Sequence, residues 1–188
     1  MIMYIVTYKG RFGFIKPWTA VRDGETFSQQ FLTPSIIEGI EKKLFPELLS
    51  TTGIHKILRY KLSYASMSSQ QEVTQTRGWD YKKKEKYYFR DRSVLKRNVL
   101  LSPILYLAFD SEEDALAASQ QHICLCRNED IMLPNAEIIK ASEYDFKKLL
   151  GFELRFGQSE ESFLVGYNRF EENKPMYGWL EYNGQKLI

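Results

Sequence analysis

The sequence has little of what disulfide scaffolds, metal sites and phosphate-loop enzymes are built from. Its 188 residues include only two cysteines and two histidines. Cys124 and Cys126 stand too close together to staple a fold, and their use fits a reducing compartment. His122, Cys124 and Cys126 would share one face of an alternating strand, but no further Cys/His pair completes a tetrahedral site, so no metal is expected. Phosphate-cradling glycine loops, a Ser/His/Asp order and EF-hand spacing are all missing, which leaves nucleotide hydrolysis without support and makes a cofactor unexpected. No apolar run approaches the ~20 residues of a membrane helix. The opening MIMYIVTYKG lacks the basic flank and apolar core of a secretory signal, so the expectation is a cytoplasmic protein that engages no membrane. There is no internal repeat and no low-complexity run.

What is present is a globular composition, 44% hydrophobic, 14% aromatic and 27% charged, on a chain long enough for one substantial core or a core with a small appendage. Its charge is unevenly spread. From Arg77 to Arg97, nine basic residues face three acidic ones, a net +6 in a chain whose formal total is +2. Residues 1–76 carry +3 and residues 98–188 carry −7. The basic stretch contains Arg77, Lys82, Lys83, Lys84, Lys86, Arg90, Arg92, Lys96 and Arg97, interleaved with Trp79, Tyr81, Tyr87, Tyr88 and Phe89. Lysine and arginine neutralise phosphates and release counterions, and planar side chains offer faces on which unpaired bases stack. The alternative for the same residues is a solvated charged face on a long hairpin.

Met3–Tyr8 reads as a strand, followed by a loop punctuated by Gly10, Gly13, Pro17 and Gly24. Thr33-Pro34-Ser35 opens a helix, with Thr33 at the N-cap, Pro34 where a missing N–H costs nothing, and Ile36, Ile37, Ile40 and Leu44 at helical spacing. Ile54–Ala65 reads as a second strand, Ser66–Gln71 as a loop, and the basic segment as a hairpin arm. Val99–Phe109 is the best candidate for a central buried strand, with Pro103 demanding an edge or a bulge. Ser111 caps an acidic helix start, and Ile123–Leu125 is a short strand leading into Cys126–Asp130. The order βαβ, insertion, βαβ is the split ferredoxin-like (RRM-like) arrangement, an α+β fold. Segments near Ala136–Ile139, Phe152–Phe156, Ser162–Tyr167 and Gly178–Tyr182 read as strands of a small second sheet. The expected organisation is a ferredoxin-like domain over 1–135 with a thumb inserted at about 66–98, and a small β-rich subdomain over 136–188.

The N-terminal strand, the FLTPSIIEGIEKKLF helix, the basic aromatic arm, the buried strand and the ICLCRNED segment, in that order, resemble the CRISPR-associated RAMP proteins. Nearest is the Cas-five family of class 1 (type I-like) effector complexes. The likeness covers about residues 3–135. Thr33-Pro34-Ser35 and Gly39 match its helix opening, and Leu125-Cys126-Arg127 matches its Leu-Gly-Arg turn, with cysteine where the family pattern has glycine. That departure puts RNA contact by the Cys126 backbone in doubt if the turn needs a positive φ.

The resemblance implies a noncatalytic subunit of a Cascade-type antiviral ribonucleoprotein. Such a subunit caps the 5′ handle of the CRISPR RNA, and its partners are a backbone RAMP subunit, a large subunit and target DNA near the PAM. The RNA-binding candidates are then Lys16, Trp18, Arg22, Ser35, Arg77, Trp79, Tyr81, Lys82, Lys83, Lys84, Lys86, Arg90, Arg92 and Arg127. Trp18 has sheet packing as its alternative, Ser35 has helix capping, and Arg127 has a salt bridge to Glu129 or Asp130. A minority branch of the family cleaves repeat RNA without metal, using Tyr, Lys and His; His55 beside Lys56 is the set to test here. The third reading is a docking hairpin for an acidic protein, with no RNA.

Overall fold

The computed structural model describes residues 2–17, 24–75, 78–168 and 172–184. Along the chain run β1 (Ile2–Gly10), β2 (Phe12–Gly13), β3 (Glu25–Phe27), α1 (Pro34–Leu44), a 3₁₀ turn (Pro46–Leu48), β4 (Ile57–Ser63) and β5 (Ser66–Gln75). Then come β6 (Asp80–Lys82), β7 (Tyr87–Phe89), β8 (Arg92–Leu101), β9 (Ile104–Phe109), α2 (Glu112–Ser119), β10 (Ile123–Cys124) and β11 (Ile131–Ser142). The chain closes with α3 (Glu143–Lys148), β12 (Gly151–Phe156), β13 (Phe163–Asn168) and β14 (Lys174–Asn183). The fold is mixed α+β and dominated by strand. None of the described helices is long and apolar enough to cross a membrane.

Among the described residues, eight strands form one sheet in the order β10-β11-β1-β9-β4-β12-β14-β13, and every neighbouring pair is antiparallel. Alternation divides the two faces. Val6, Tyr8, Leu105, Leu107, Phe109, Tyr60 and Leu62 point one way and pack with Ile37, Ile40 and Leu44 of α1 and with Ala115 and Ala118 of α2. Met3, Ile5, Ala108 and Ala141 point the other way, onto Phe146 of α3. In the large sheet, β1 and β4, which come before and after α1, are separated by β9, and the long strands before and after α2 (β9 and β11) by β1.

Three expectations are corrected. Ser66–Gln71 is not a loop: it lies within β5, which pairs with β8 through ten consecutive residues from Ser66↔Leu101 to Gln75↔Arg92. Pairing and side-chain packing override the weak strand preference of Ser and Gln. Val99–Phe109 is not one strand. The chain turns at Ser102 (φ 49°) and Pro103, ending β8 in one sheet and starting β9 in the centre of the other; Pro103 has no N–H to offer a ladder. The C-terminal strands do not form a separate sheet, since β11 pairs with β1 and β12 joins β4 through Phe152↔Leu62. That joint needs a glycine. Gly151 has φ 128°, and a Cβ there would collide with the Leu62 carbonyl.

Buried charges fix the edges of the body. The Glu41 carboxylate of α1 is fully buried and accepts the backbone N–H groups of His55 (2.9 Å), Lys56 (2.6 Å) and Ile57 (2.8 Å). This is why β4 begins at Ile57 and not at Ile54: the intervening residues wrap the carboxylate instead of joining the ladder. Lys61, 2% exposed, donates to the carbonyls of Phe146, Lys147 and Leu149 at 3.1–3.3 Å, satisfying the orphan C-terminal carbonyls of α3. Burial pulls its pKa below the ordinary lysine value.

Candidate nucleic-acid interface

The basic segment forms the outer end of a long arm. Its shaft is the β5–β8 ribbon, rooted where β8 also pairs with β2 and, in parallel, with β3. Its tip is the β6–β7 hairpin, with Tyr81 opposite Tyr88 and Lys82 opposite Tyr87. Trp79 (62% exposed), Tyr88 (68%) and Tyr81 (47%) stand in solvent, although large rings are among the side chains most favourable to bury. Tyr81 and Tyr88 tilt against each other at 4.9 Å between ring centres. The Arg90 guanidinium lies 4.5 Å from the Trp79 ring, and Lys82 Nζ lies 5.4 Å from both Tyr87 and Phe89. A hydrogen bond with Tyr87 holds the Lys82 pKa above the ordinary lysine value.

The turn of that hairpin is Lys83-Lys84-Glu85-Lys86, closed by the Glu85 N–H donating to the Lys82 carbonyl at 3.2 Å. Lys86 sits at φ 51°, a left-handed conformation that costs a lysine roughly 1–2 kcal/mol and a glycine almost nothing. The turn therefore carries a positive charge at a position where backbone chemistry favours glycine or asparagine. Lys83, Lys84, Lys86, Arg90 and Arg92 are all exposed. The ion pair of Lys82 with Glu85, at 3.7 Å, is itself exposed on both sides and worth little.

A second basic group gathers at the root of the arm. Phe14, 5% exposed, lies between two guanidiniums, with Arg97 5.8 Å and Arg127 5.3 Å from its ring centre. Arg97 donates to Thr26 Oγ1 at 2.8 Å and pairs with Glu72 at 3.4 Å. Arg127 makes the ion pairs of its alternative reading, to Glu129 (3.4 Å) and to the fully buried Asp130 (2.7 Å), and keeps a quarter of its side chain exposed. The hydrogen bonds it donates to Asp130 hold the Arg127 pKa above its ordinary value. The backbone N–H of Arg127 also donates to Asp130, so this turn is locked from both sides. Cys126 does not have a positive φ, and the turn closes without one. Lys16 is exposed nearby, its backbone N–H reaching the Cys126 sulfur.

Ser35 is not at the tip or the root. Its hydroxyl lies 3.0 Å from that of Thr33, whose side chain makes no capping bond to the α1 backbone. Trp18, Arg22 and Arg77 lie outside the described residues. Of the expected RNA contacts, the tip thus gathers Trp79, Tyr81, Lys82, Lys83, Lys84, Lys86, Arg90 and Arg92, while Lys16 and Arg127 belong to the root. Sequence reading missed Phe14 and Arg97 as members of the root. The signal for Arg97 was its place in the basic run; Phe14 gave none beyond being apolar. His55 is exposed ahead of β4, with Nε2 3.0 Å from the Thr52 carbonyl, and Lys56 Nζ is engaged by Asp114 at 2.7 Å and Glu47 at 3.0 Å. No protein-family model matches the chain, and no curated protein matches it.

Proposed function

We propose that the protein is a noncatalytic RNA-binding scaffold subunit that caps the 5′ part of a CRISPR RNA within a Cascade-type complex. The observation that carries this reading is the arm tip, where four lysines, two arginines and three well-exposed rings project together. Among the described residues, no side chain of the body pairs with them. A turn that keeps lysine at a left-handed position, and rings left in water, are costs to folding that a bound polyanion with stackable bases offsets. The body supports the reading more generally. Two βαβ units, each split by a strand of the other, with both helices on one face, are compatible with the ferredoxin-like arrangement that this reading expects. In this reading the tip and root bind phosphates and stack bases, and the shaft meets the neighbouring backbone subunit, with a large subunit and PAM-proximal target DNA beyond.

The test is to purify the protein with whatever it carries and sequence the RNA, then to measure binding with Lys82, Lys83, Lys84 and Lys86 replaced by alanine. Repeat-derived guide RNA, with affinity falling in the variant and in rising salt, is the expected result. Recovery of no RNA, or binding indifferent to those lysines, replaces this reading with the docking hairpin.

A further inference from the structure

Sheets block lateral pairing at their open edges with very short strands, bulges, proline and charge, lysine above all. Several edges of this molecule are guarded in that way. β2, β3 and β10 have two or three residues each. β11, open beyond its short pairing with β10, carries Pro134 and Lys140 and shifts register against β1 between Ile138 and Pro134. β13 shifts register between Leu164 and Gly166. The edge of β5 has none of these devices. Its ten residues, SMSSQQEVTQ, pair with β8 in unbroken register, include neither lysine nor proline, and carry one charge, Glu72. None of them is buried, and among the described residues no strand pairs with their outer side. Such an edge presents a row of backbone donors and acceptors to any strand that can lie along it.

We propose that β5 pairs antiparallel with β5 of a second copy of this chain, about a two-fold axis at Gln70. The strand is its own complement. An axis perpendicular to the ribbon keeps each face of one copy level with the same face of the other, so this register opposes Ser69 with Gln71, Ser68 with Glu72, Met67 with Val73 and Ser66 with Thr74. Each copy's Val73, 63% exposed in the single chain, then meets the other copy's Met67 on the same face. Glu72 meets a serine hydroxyl able to donate to it, Ser66 meets Thr74, and no like charges are opposed. Charge selects the direction. Parallel pairing would lay two basic stretches of net +6 side by side. Antiparallel pairing holds the two tips at opposite ends of a ten-residue shaft, ~33 Å or several Debye lengths apart, and turns each toward the other copy's body, whose residues 98–188 sum to −7. The contact also closes, because each copy offers one β5 and two copies satisfy both. This pairing does not rest on the RNA reading: it uses the outer edge of the shaft and leaves the shaft's faces to the neighbouring subunit.

The experiment is analytical ultracentrifugation of the intact, nuclease-treated protein over a micromolar concentration series, repeated with Gln70→Lys and, separately, Val73→Lys. Neither replaced side chain is buried, and a thermal melt of each variant confirms the fold. The expected result is a reversible monomer–dimer equilibrium. Gln70→Lys sets two lysines face to face at the axis and should weaken the dimer about fivefold; Val73→Lys guards the edge at two places per dimer and should weaken it about tenfold. The register has its own readout. Directly opposed residues of an antiparallel pair have Cα atoms about 4.5–5.5 Å apart, within disulfide reach, so Gln70→Cys should give a linked dimer on mild oxidation. Ser68→Cys, which faces Glu72, and the unaltered protein with its Cys124 and Cys126 should not. A monomer at every concentration, a dimer indifferent to both lysine variants, or equal linkage through Ser68→Cys overturns the proposal. A monomer that carries guide RNA removes the pairing and leaves the RNA reading; a dimer that binds no RNA does the reverse.

Discussion

The body and the arm treat charge in opposite ways. In the body, Glu41, Lys61, Asp130 and Glu153 are at most 2% exposed, and each is met by partners: three backbone amides, three carbonyls, an arginine turn and Arg59. At the arm tip, lysines and arginines stand in water against ring faces and one weak ion pair. Buried charges of the first kind are architecture, because losing one partner strands the other. Charges of the second kind contribute little to folding, so their concentration at one place calls for a ligand outside the chain.

Mutation sharpens this contrast. The largest effect belongs to the body. Glu41→Ala leaves the amides of His55, Lys56 and Ile57 without an acceptor, and is expected to cost about 3 kcal/mol or more. Circular dichroism should show the melting temperature falling by roughly 10 °C. Next is the combined replacement of Lys82, Lys83, Lys84 and Lys86 by alanine. It should leave the melting temperature within a degree or two, yet flatten the slope of log affinity against log salt by about 3 for single-stranded RNA, read by fluorescence anisotropy. A melting temperature that drops with the quadruple variant would erase the distinction between the two regions. Tyr88→Ala should weaken single-strand binding by about 1–3 kcal/mol, the worth of one stacked base, again without destabilising the fold.

The smallest effect concerns pH. Glu38 is held below the ordinary glutamate pKa, chiefly by its hydrogen bond from Lys42 and then by the Gly53 amide. A lowered folded-state pKa means that its stabilisation is complete above the ordinary glutamate value and is lost as pH falls through the folded one. Glu38→Gln should therefore flatten the acid limb of a stability–pH curve by less than about 1 kcal/mol, since both partners are partly exposed.

The readable parts of this chain were those with local causes. Thr33-Pro34 and the Ile36/Ile37/Ile40/Leu44 spacing mark α1, Ser111 with its acidic turn marks α2, and the basic run marks the arm tip. What escaped depends on partners distant in sequence. The Ser/Gln run of β5 carries no strand signal and becomes one by lying along β8. Ile54 has the composition of a strand start, but Glu41, far back in α1, takes the backbone donors that follow it. Phe14 acquires its place between Arg97 and Arg127 only when three separate stretches meet.

The turn at Ser102 and Pro103 has a mechanical consequence. The inner strand of the arm passes through those two residues directly into β9, which runs down the middle of the large sheet. The arm is therefore a lever with its fulcrum at the end of a central strand and its short end embedded in the core. A pull at the tip is borne by the rows of hydrogen bonds on both sides of β9, loaded lengthwise in shear, and is not relieved by the give of a loop. Whatever grips the tip grips a rigid handle of the whole molecule.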